Sequence, residues 1–331
     1  MKNKQRTSTA TQTEVFVFCL KKRFSGVTAT IHGLIPSLAD KTALAYVGPK
    51  LKRSALKTNH KAVKELSLLD AINISRHRLN GGEKRIWHLR RNKEMLIALM
   101  LRDVLKLPII LVFTSAAIRK HSWFPRWLIS RMDKVIATSD KAASFIPPPS
   151  PIVHHGVNIK HFCLPTGSSD PTALLKMKER LWDQTGLPGK HAIGNFGRVR
   201  KEKGTHLFVR AMIKLLPKYP DFCAFIAGLC KPEDKNFKQV LVKEIHDAGL
   251  ELRIVFLGEV SSQDIPLWYQ RSLISVASPL YEGYGLTVIE SMASGAAVIA
   301  SRTGAFETMI RSGENGYLTP IDNLSALIEK T

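Results

Sequence analysis

Short apolar runs alternate with helix-length amphipathic stretches in two series, and this pattern limits the possible folds more than any other feature of the chain. In the first series, residues 15–20, 43–47, 86–89, 109–114 and 135–138 have the length and composition of buried strands. Helical stretches at 92–105 and 123–131 lie between them, and Ser25-Gly26-Val27 reads as a turn that opens another. Strands alternating with helices predict a parallel sheet in an α/β fold. The run Phe145-Ile146-Pro147-Pro148-Pro149-Ser150-Pro151 ends the pattern, because proline has no N–H to donate to a ladder. Residues 165–171, rich in Gly, Ser and Pro, are read as the linker. A second series follows. Its strands are expected at 192–196, 222–228, 254–257, 273–277 and 297–301, and its helices at 204–216, 233–249, 261–269 (with Ser261 as N-cap) and 285–294. A chain of 331 residues suits two domains. They are placed at 1–165 and 166–331. Two doubly wound sheets joined this way should bind ligands in the crevice outside their strand C-termini.

The chemistry is concentrated in the second series. The segment Ser278-Pro279-Leu280-Tyr281-Glu282-Gly283-Tyr284-Gly285-Leu286-Thr287-Val288-Ile289-Glu290 carries two carboxylates eight positions apart. Gly283 and Gly285 break any single helix through them, so Glu282 belongs to a loop and Glu290 to the second turn of the helix that follows. The N–H groups of Gly285, Leu286 and Thr287 would be the unpaired donors of that helix N-terminus, an anion site suited to a diphosphate. A carboxylate in such a helix can accept two hydrogen bonds from a ribose diol. A glycine-rich loop before a capped amphipathic helix would give the same letters, so on these residues alone both readings stand.

A second cluster is Gly197-Arg198-Val199-Arg200-Lys201-Glu202-Lys203-Gly204, between an expected strand and an expected helix. Arg198 offers a planar fork for phosphate and Lys203 a point charge. Arg200 and Lys201 are read as solvated surface, as most charge runs are.

The four cysteines form no C-x-x-C pair and no metal-ligand spacing, and are read as free thiols. Residues 1–14 are polar and basic, without the apolar core of a leader, and no apolar run approaches the ~20 residues of a membrane span. The formal net charge is +22. Clusters lie at Lys21-Lys22-Arg23, Lys50-Leu51-Lys52-Arg53 and Arg90-Arg91. Such a balance favours anionic partners: nucleic acid, an anionic membrane face or phosphorylated small molecules. No helix-turn-helix, zinc finger or RNA-binding aromatic motif is present in the sequence. The expectation is therefore no nucleic acid, anionic substrates, and a cytoplasmic protein held peripherally at the inner face of the membrane.

Together, Glu282 and Glu290, the Arg198–Lys203 turn, Ala293-Ser294-Gly295 and Thr303-Gly304 resemble the C-terminal domain of the retaining GT-B glycosyltransferases of family 4, whose mark is a Glu-x7-Glu motif. The resemblance spans about residues 194–320. It implies two doubly wound Rossmann-like domains facing across a cleft, an N-terminal domain that binds the acceptor and a C-terminal domain that binds the nucleotide sugar. It also implies roles: Arg198 and Lys203 on the donor diphosphate, Glu290 on the ribose hydroxyls, and Glu282 near the sugar's C3 and C4 hydroxyls. Gly26 would lie close to donor phosphate and acceptor, and His88 would line the cleft near the donor sugar. A satisfied histidine at a strand end is the alternative for His88. His155-Gly156-Val157-Asn158 is read as structural. The family retains anomeric configuration without a divalent metal or other cofactor, and no Asp-x-Asp triplet stands here.

In the first half, Phe24-Ser25-Gly26-Val27-Thr28-Ala29-Thr30, Trp87-His88-Leu89-Arg90-Arg91-Asn92-Lys93-Glu94-Met95-Leu96 and Arg131-Met132-Asp133-Lys134-Val135-Ile136-Ala137-Thr138-Ser139 resemble a subgroup that adds mannose to the lipopolysaccharide core of Gram-negative bacteria. The donor implied is GDP-mannose, with UDP-glucose, UDP-galactose or ADP-heptose as alternatives on the same fold and a basic nucleic-acid-binding protein as a distant one. The implied acceptor is lipopolysaccharide core or another glycolipid. The sequence departs from the family at Ser25-Gly26 and Gly304-Ala305, where paired glycines are common. It stops at Thr331, so the helix that usually crosses back to the first domain is expected to be missing or shortened.

Overall fold

The computed structural model describes residues 12–21, 26–49, 63–164 and 170–331. Ser25, most of the linker stretch and most of the basic clusters at 21–23 and 50–53 lie outside the described residues. The chain forms two compact units, Met1–Gly156 and Val157–Thr331. The boundary expected after Pro165 thus falls within the second unit. Pro171 is not linker: it starts a helix whose N-cap, Asp170, accepts from the Ala173 N–H at 2.7 Å.

The first unit runs β1 (Val15–Phe18), α1 (Gly26–Ala39), β2 (Leu44–Val47), β3 (Lys64–Leu66), α2 (Leu68–Ser75), β4 (Arg85–Leu89), α3 (Asn92–Leu99), β5 (Ile109–Ser115), α4 (Trp123–Ser130), β6 (Lys134–Ala137) and α5 (Asp140–Ala143). All strands are parallel, in the order β3-β2-β1-β4-β5-β6. Strand β1 shows why its run is continuously apolar. Phe16 and Phe18 enter one core with Trp87 and Leu89, while Val17 and Cys19 enter the opposite one with Ile31 and Tyr46. A strand covered on both faces has no polar side to display.

The second unit runs α6 (Pro171–Asp183), β7 (His191–Phe196), α7 (Thr205–Leu215), β8 (Phe222–Ala227), α8 (Lys235–Asp247), β9 (Ile254–Gly258), α9 (Ile265–Arg271), β10 (Ser272–Ala277), α10 (Leu286–Ala293), β11 (Ala297–Ser301), α11 (Phe306–Met309), β12 (Tyr317–Thr319) and α12 (Leu324–Lys330). Its parallel sheet is ordered β12-β11-β10-β7-β8-β9. Counted from its own first strand, this is the order of the first sheet. In each unit the strand order reverses between the first and fourth strands, and ligands of such sheets bind outside the carboxyl ends at that reversal.

Three local expectations are corrected. Ser261 does not cap a helix at 261: its Oγ accepts from the N–H of Gln263 and Asp264 in a turn, and α9 begins only at Ile265. The stretch 92–105 is α-helical to Leu99 and then widens into a π-helical turn, Met100–Val104. β3 and α2 were not anticipated. β3 is a three-residue edge strand with charged side chains, and α2 is announced by a capping box in which Ser67 and Asp70 bond each other's backbone N–H. No helix among the described residues is long and apolar enough to cross a membrane.

Candidate functional site

Strand β7 ends at Phe196, and the chain turns through Arg198 into a short 3-10 turn, Lys201–Lys203, closed by Gly204 at φ +67°. A Cβ on Gly204 would lie 1.7 Å from the Ser278 carbonyl oxygen. That contact fixes the residue type: only glycine tolerates both the left-handed backbone and the approach. The turn is fastened to the loop after β10, its neighbour across the strand reversal. Ser278 Oγ donates to the Gly204 carbonyl at 3.1 Å, and the Leu280 N–H donates to the Glu202 carbonyl at 3.0 Å.

This stitching brings Lys203 and Glu282 together, and Lys203 Nζ forms an ion pair with Glu282 Oε2. The other carboxylate oxygen accepts the Gly283 N–H at 3.0 Å, and the Glu282 N–H reaches Thr303 Oγ1, after β11, at 3.3 Å. The segments after three adjacent strands, β7, β10 and β11, therefore hold Glu282. Arg198 is half-buried and has no hydrogen bond or ion pair with any described residue. A guanidinium left without a carboxylate at the end of a central strand is a cation available to an anionic ligand.

Helix α10 starts at Gly285, whose φ is +94° and whose Cβ position is filled by the Phe306 ring. No side chain caps this end, and the N–H groups of Leu286 and Thr287 meet no acceptor among the described residues. Open donors at a helix N-terminus attract anions. One turn on, Glu290 Oε2 accepts the Tyr269 hydroxyl at 2.7 Å, and the Tyr269 ring stacks on Phe196 at 3.8 Å. Burial pushes the Glu290 carboxyl above its usual range, and the Tyr269 hydrogen bond opposes the shift. Glu290 Oε1 has no protein partner among the described residues. Tyr269 was not singled out from sequence. It sits on another helix, 21 positions before Glu290, with no motif around it. If Glu290 binds a nucleotide ribose, as the resemblance implies, Tyr269→Phe should weaken nucleotide binding about two- to tenfold by calorimetry, the worth of one orienting hydrogen bond.

Gly26 and His88 belong to the first unit, at the equivalent strand reversal. Gly26 is the first residue of α1, following β1, and among the described residues, its chain neighbours and its own helix backbone apart, no atom lies within 4 Å of where its Cβ would be. His88 is on β4, and its Nε2 is 2.7 Å from Thr114 Oγ1. Burial, helped by the neighbouring Arg90 charge, drives its pKa from 6.5 to about 3. The imidazole is therefore neutral at physiological pH, a donor and acceptor rather than a cation. The pair with Thr114 satisfies one ring nitrogen and leaves Nδ1 without a partner among the described residues. Because the folded protein holds this proton less tightly than the unfolded chain, the stability it confers is complete above pH 6.5 and is lost as pH falls toward 3. His88→Asn should flatten the dependence of the urea midpoint on pH across that window, and an unchanged slope would contradict the assignment.

Sequence reading also missed the polar network beside this strand end. Glu94 is buried and accepts the N–H groups of Leu20 and Arg90, while Arg90 donates to Thr30 Oγ1 at 3.0 Å in the second turn of α1.

Residues 178–331 match the family described as Glycosyl transferases group 1. The lipopolysaccharide core biosynthesis mannosyltransferase LpcC of Rhizobium leguminosarum bv. viciae is 41% identical over 315 residues, covering 95% of this chain and 84% of its own length. LpsB of Rhizobium meliloti (strain 1021), which bears the same description, is 38% identical over 321 residues, with 96% and 85% covered. Among solved structures, Anabaena Alr3699/HepE in complex with UDP and glucose aligns with a TM-score of 0.75 at 16% identity, over 95% of this chain and 88% of that one. At that identity the likeness bears on the fold alone.

Proposed function

This chain belongs to the group 1 glycosyl transferases, a hexosyltransferase of GT-B fold, and we propose that it moves mannose from GDP-mannose to a lipopolysaccharide core acceptor with retention of configuration. The names of its two Rhizobium relatives support both sugar and acceptor. The observation that carries the site assignment is Arg198 after β7, without a partner among the described residues, beside the Lys203–Glu282 pair, with the uncapped α10 following the adjacent strand.

In this reading Arg198, Lys203 and the Gly285, Leu286 and Thr287 N–H groups bind the diphosphate. Glu290, held by Tyr269, accepts from the ribose diol. Glu282 accepts from sugar hydroxyls, and for His88 and Gly26 the roles are those the resemblance implies. The bond from sugar C1 to the diphosphate oxygen breaks, and its electron pair leaves with the diphosphate. Fixed cations and helix donors aimed at that oxygen stabilise the charge as it develops. The acceptor hydroxyl attacks C1 from the face the diphosphate vacates, and its proton passes to the departing phosphate oxygen. No protein nucleophile enters this sequence, and a trapped glycosyl-enzyme would refute it. Two cations balance the diphosphate, so the reading calls for no metal and no cofactor. The enzyme would work in the cytoplasm, at the inner membrane face where a glycolipid acceptor lies.

The test is calorimetric binding of GDP, UDP and ADP with a chelator present, repeated with Lys203→Ala and Glu290→Ala. Binding of GDP alone, lost in both variants, is the expected result. Preference for UDP or ADP would replace the sugar and keep the site, and binding that both variants retain would remove the site. A DNA affinity that falls steeply with salt would instead favour a nucleic-acid-binding role.

A further inference from the structure

Helix α4 presents three aromatic rings to solvent. Trp123 is 73% exposed, and Phe124 and Trp127 are exposed beside it. The Phe124 and Trp127 rings stack at 6.2 Å, and Trp123 meets Phe124 edge-on at 5.6 Å, so the three form one rigid cluster. Burying them against the unit would remove apolar area from water, yet only Leu128 and Ile129 of this helix are buried. The helix packs beside α3, whose π-helical end exposes Met100 and Val104, with Leu105 following, Val104 at 71%. Arg102 ties the two elements, donating to the Arg131 carbonyl and pairing with Asp133.

Exposed cations outnumber acidic residues on the segments that carry these rings. Arg119, Lys120, Arg126, Arg131 and Lys106 are exposed, and the Arg131 guanidinium lies over the Trp127 ring at 5.6 Å. Of the acidic residues between Asn92 and Lys134, Glu94 is buried and Asp103 and Asp133 are both held by Arg102. Exposed tryptophans with an apolar fringe and an excess of exposed cations on the same segments match the boundary of an anionic bilayer. There, indole rings sit at headgroup depth and lysines and arginines meet lipid phosphates. A protein partner as apolar as these rings would leave the surrounding cations facing nothing; a lipid surface answers both.

We propose that α4 and the end of α3 form the surface on which this enzyme docks to an anionic lipid bilayer. The proposal rests on the reading of a membrane-borne acceptor and adds where the contact is made. It is tested with vesicles of phosphatidylethanolamine and phosphatidylglycerol, and with vesicles of phosphatidylcholine alone. Flotation and tryptophan fluorescence are measured for the full chain, for Trp123→Ser/Trp127→Ser and for Arg119→Glu/Arg126→Glu, and nucleotide binding is measured in parallel as the control for the donor site. The full chain should float with the anionic vesicles, with blue-shifted emission. Both double variants should lose about tenfold or more of that partitioning while binding nucleotide normally. Variants that float like the full chain would overturn the assignment. So would a full chain that stays unbound, in which case intact nucleotide binding would leave the transferase reading standing. A full chain that self-associates through these tryptophans without touching vesicles would overturn it in favour of a second copy of the chain.

Discussion

Arg198→Ala should lower kcat/KM by about 10²–10³, the usual consequence of removing one fixed donor from the charge that develops on a leaving group. It should do so at almost no cost in stability. Arg198 bonds to no described residue, so its removal orphans no partner, and such a substitution shifts unfolding by no more than about 0.5 kcal/mol. Lys203→Ala is the informative contrast. It too removes a cation, but it also leaves the Glu282 carboxylate without its ion-pair partner. Glu282 would then repel the diphosphate, and Lys203→Ala/Glu282→Ala should recover part of the nucleotide affinity lost in the single variant. Arg198→Lys should fall between, since an ammonium supplies the charge without the planar fork. Steady-state kinetics with thermal melts separate these cases: a melt that drops with activity in Arg198→Ala would mean that the arginine holds the fold rather than the ligand.

The Lys203–Glu282 pair bears on substrate entry as well. Before donor binds, the site stores its positive charge against its own carboxylate. In the proposed reading, a diphosphate that engaged Lys203 would free Glu282 to accept sugar hydroxyls, so one exchange of partners would arm both. The pair is part-exposed, and such a bridge is worth little on its own, so breaking it costs little.

Much of this arrangement is legible in the letters because parallel strands buried on both faces must be apolar throughout, and their loops carry everything else. VFVF in β1 and FCAFIA in β8 announce themselves. The glycines of the 278–290 segment mark where backbone must bend, and the positions of Glu282 on a loop and Glu290 in a helix follow from them. Three features are not legible. KEL in β3 is too short and too polar to read as a strand. The widened turn at Met100–Val104 leaves no compositional trace. Tyr269 serves Glu290 through a contact between α9 and α10 that no local spacing encodes. Strand order is likewise a tertiary fact. The reversal between β7 and β10 makes neighbours of the turn at 201–204 and the loop at 278–282, which the chain keeps far apart.

That neighbourhood makes Gly204→Ala the most damaging small substitution expected in the second unit. The residue sits at φ +67°, where a Cβ is disfavoured, and the added carbon would meet the Ser278 carbonyl oxygen at 1.7 Å. Backbone must move, and the loss should reach about 2–4 kcal/mol. The movement would pull apart the bonds from Ser278 Oγ to the Gly204 carbonyl and from the Leu280 N–H to the Glu202 carbonyl. Those bonds hold Lys203 against Glu282, so nucleotide binding should fall with stability. Gly26→Ala tests the opposite case. Its Cβ would meet no described atom within 4 Å apart from its chain neighbours and its own helix backbone, and its φ is not positive, so the fold should be indifferent. If Gly26→Ala melts normally yet turns over slowly, the methyl group acts on the reaction and not on the fold. If it turns over normally, Gly26 has no part in the reaction. Urea denaturation and turnover, measured on both variants, therefore distinguish a glycine demanded by packing from one demanded by substrate.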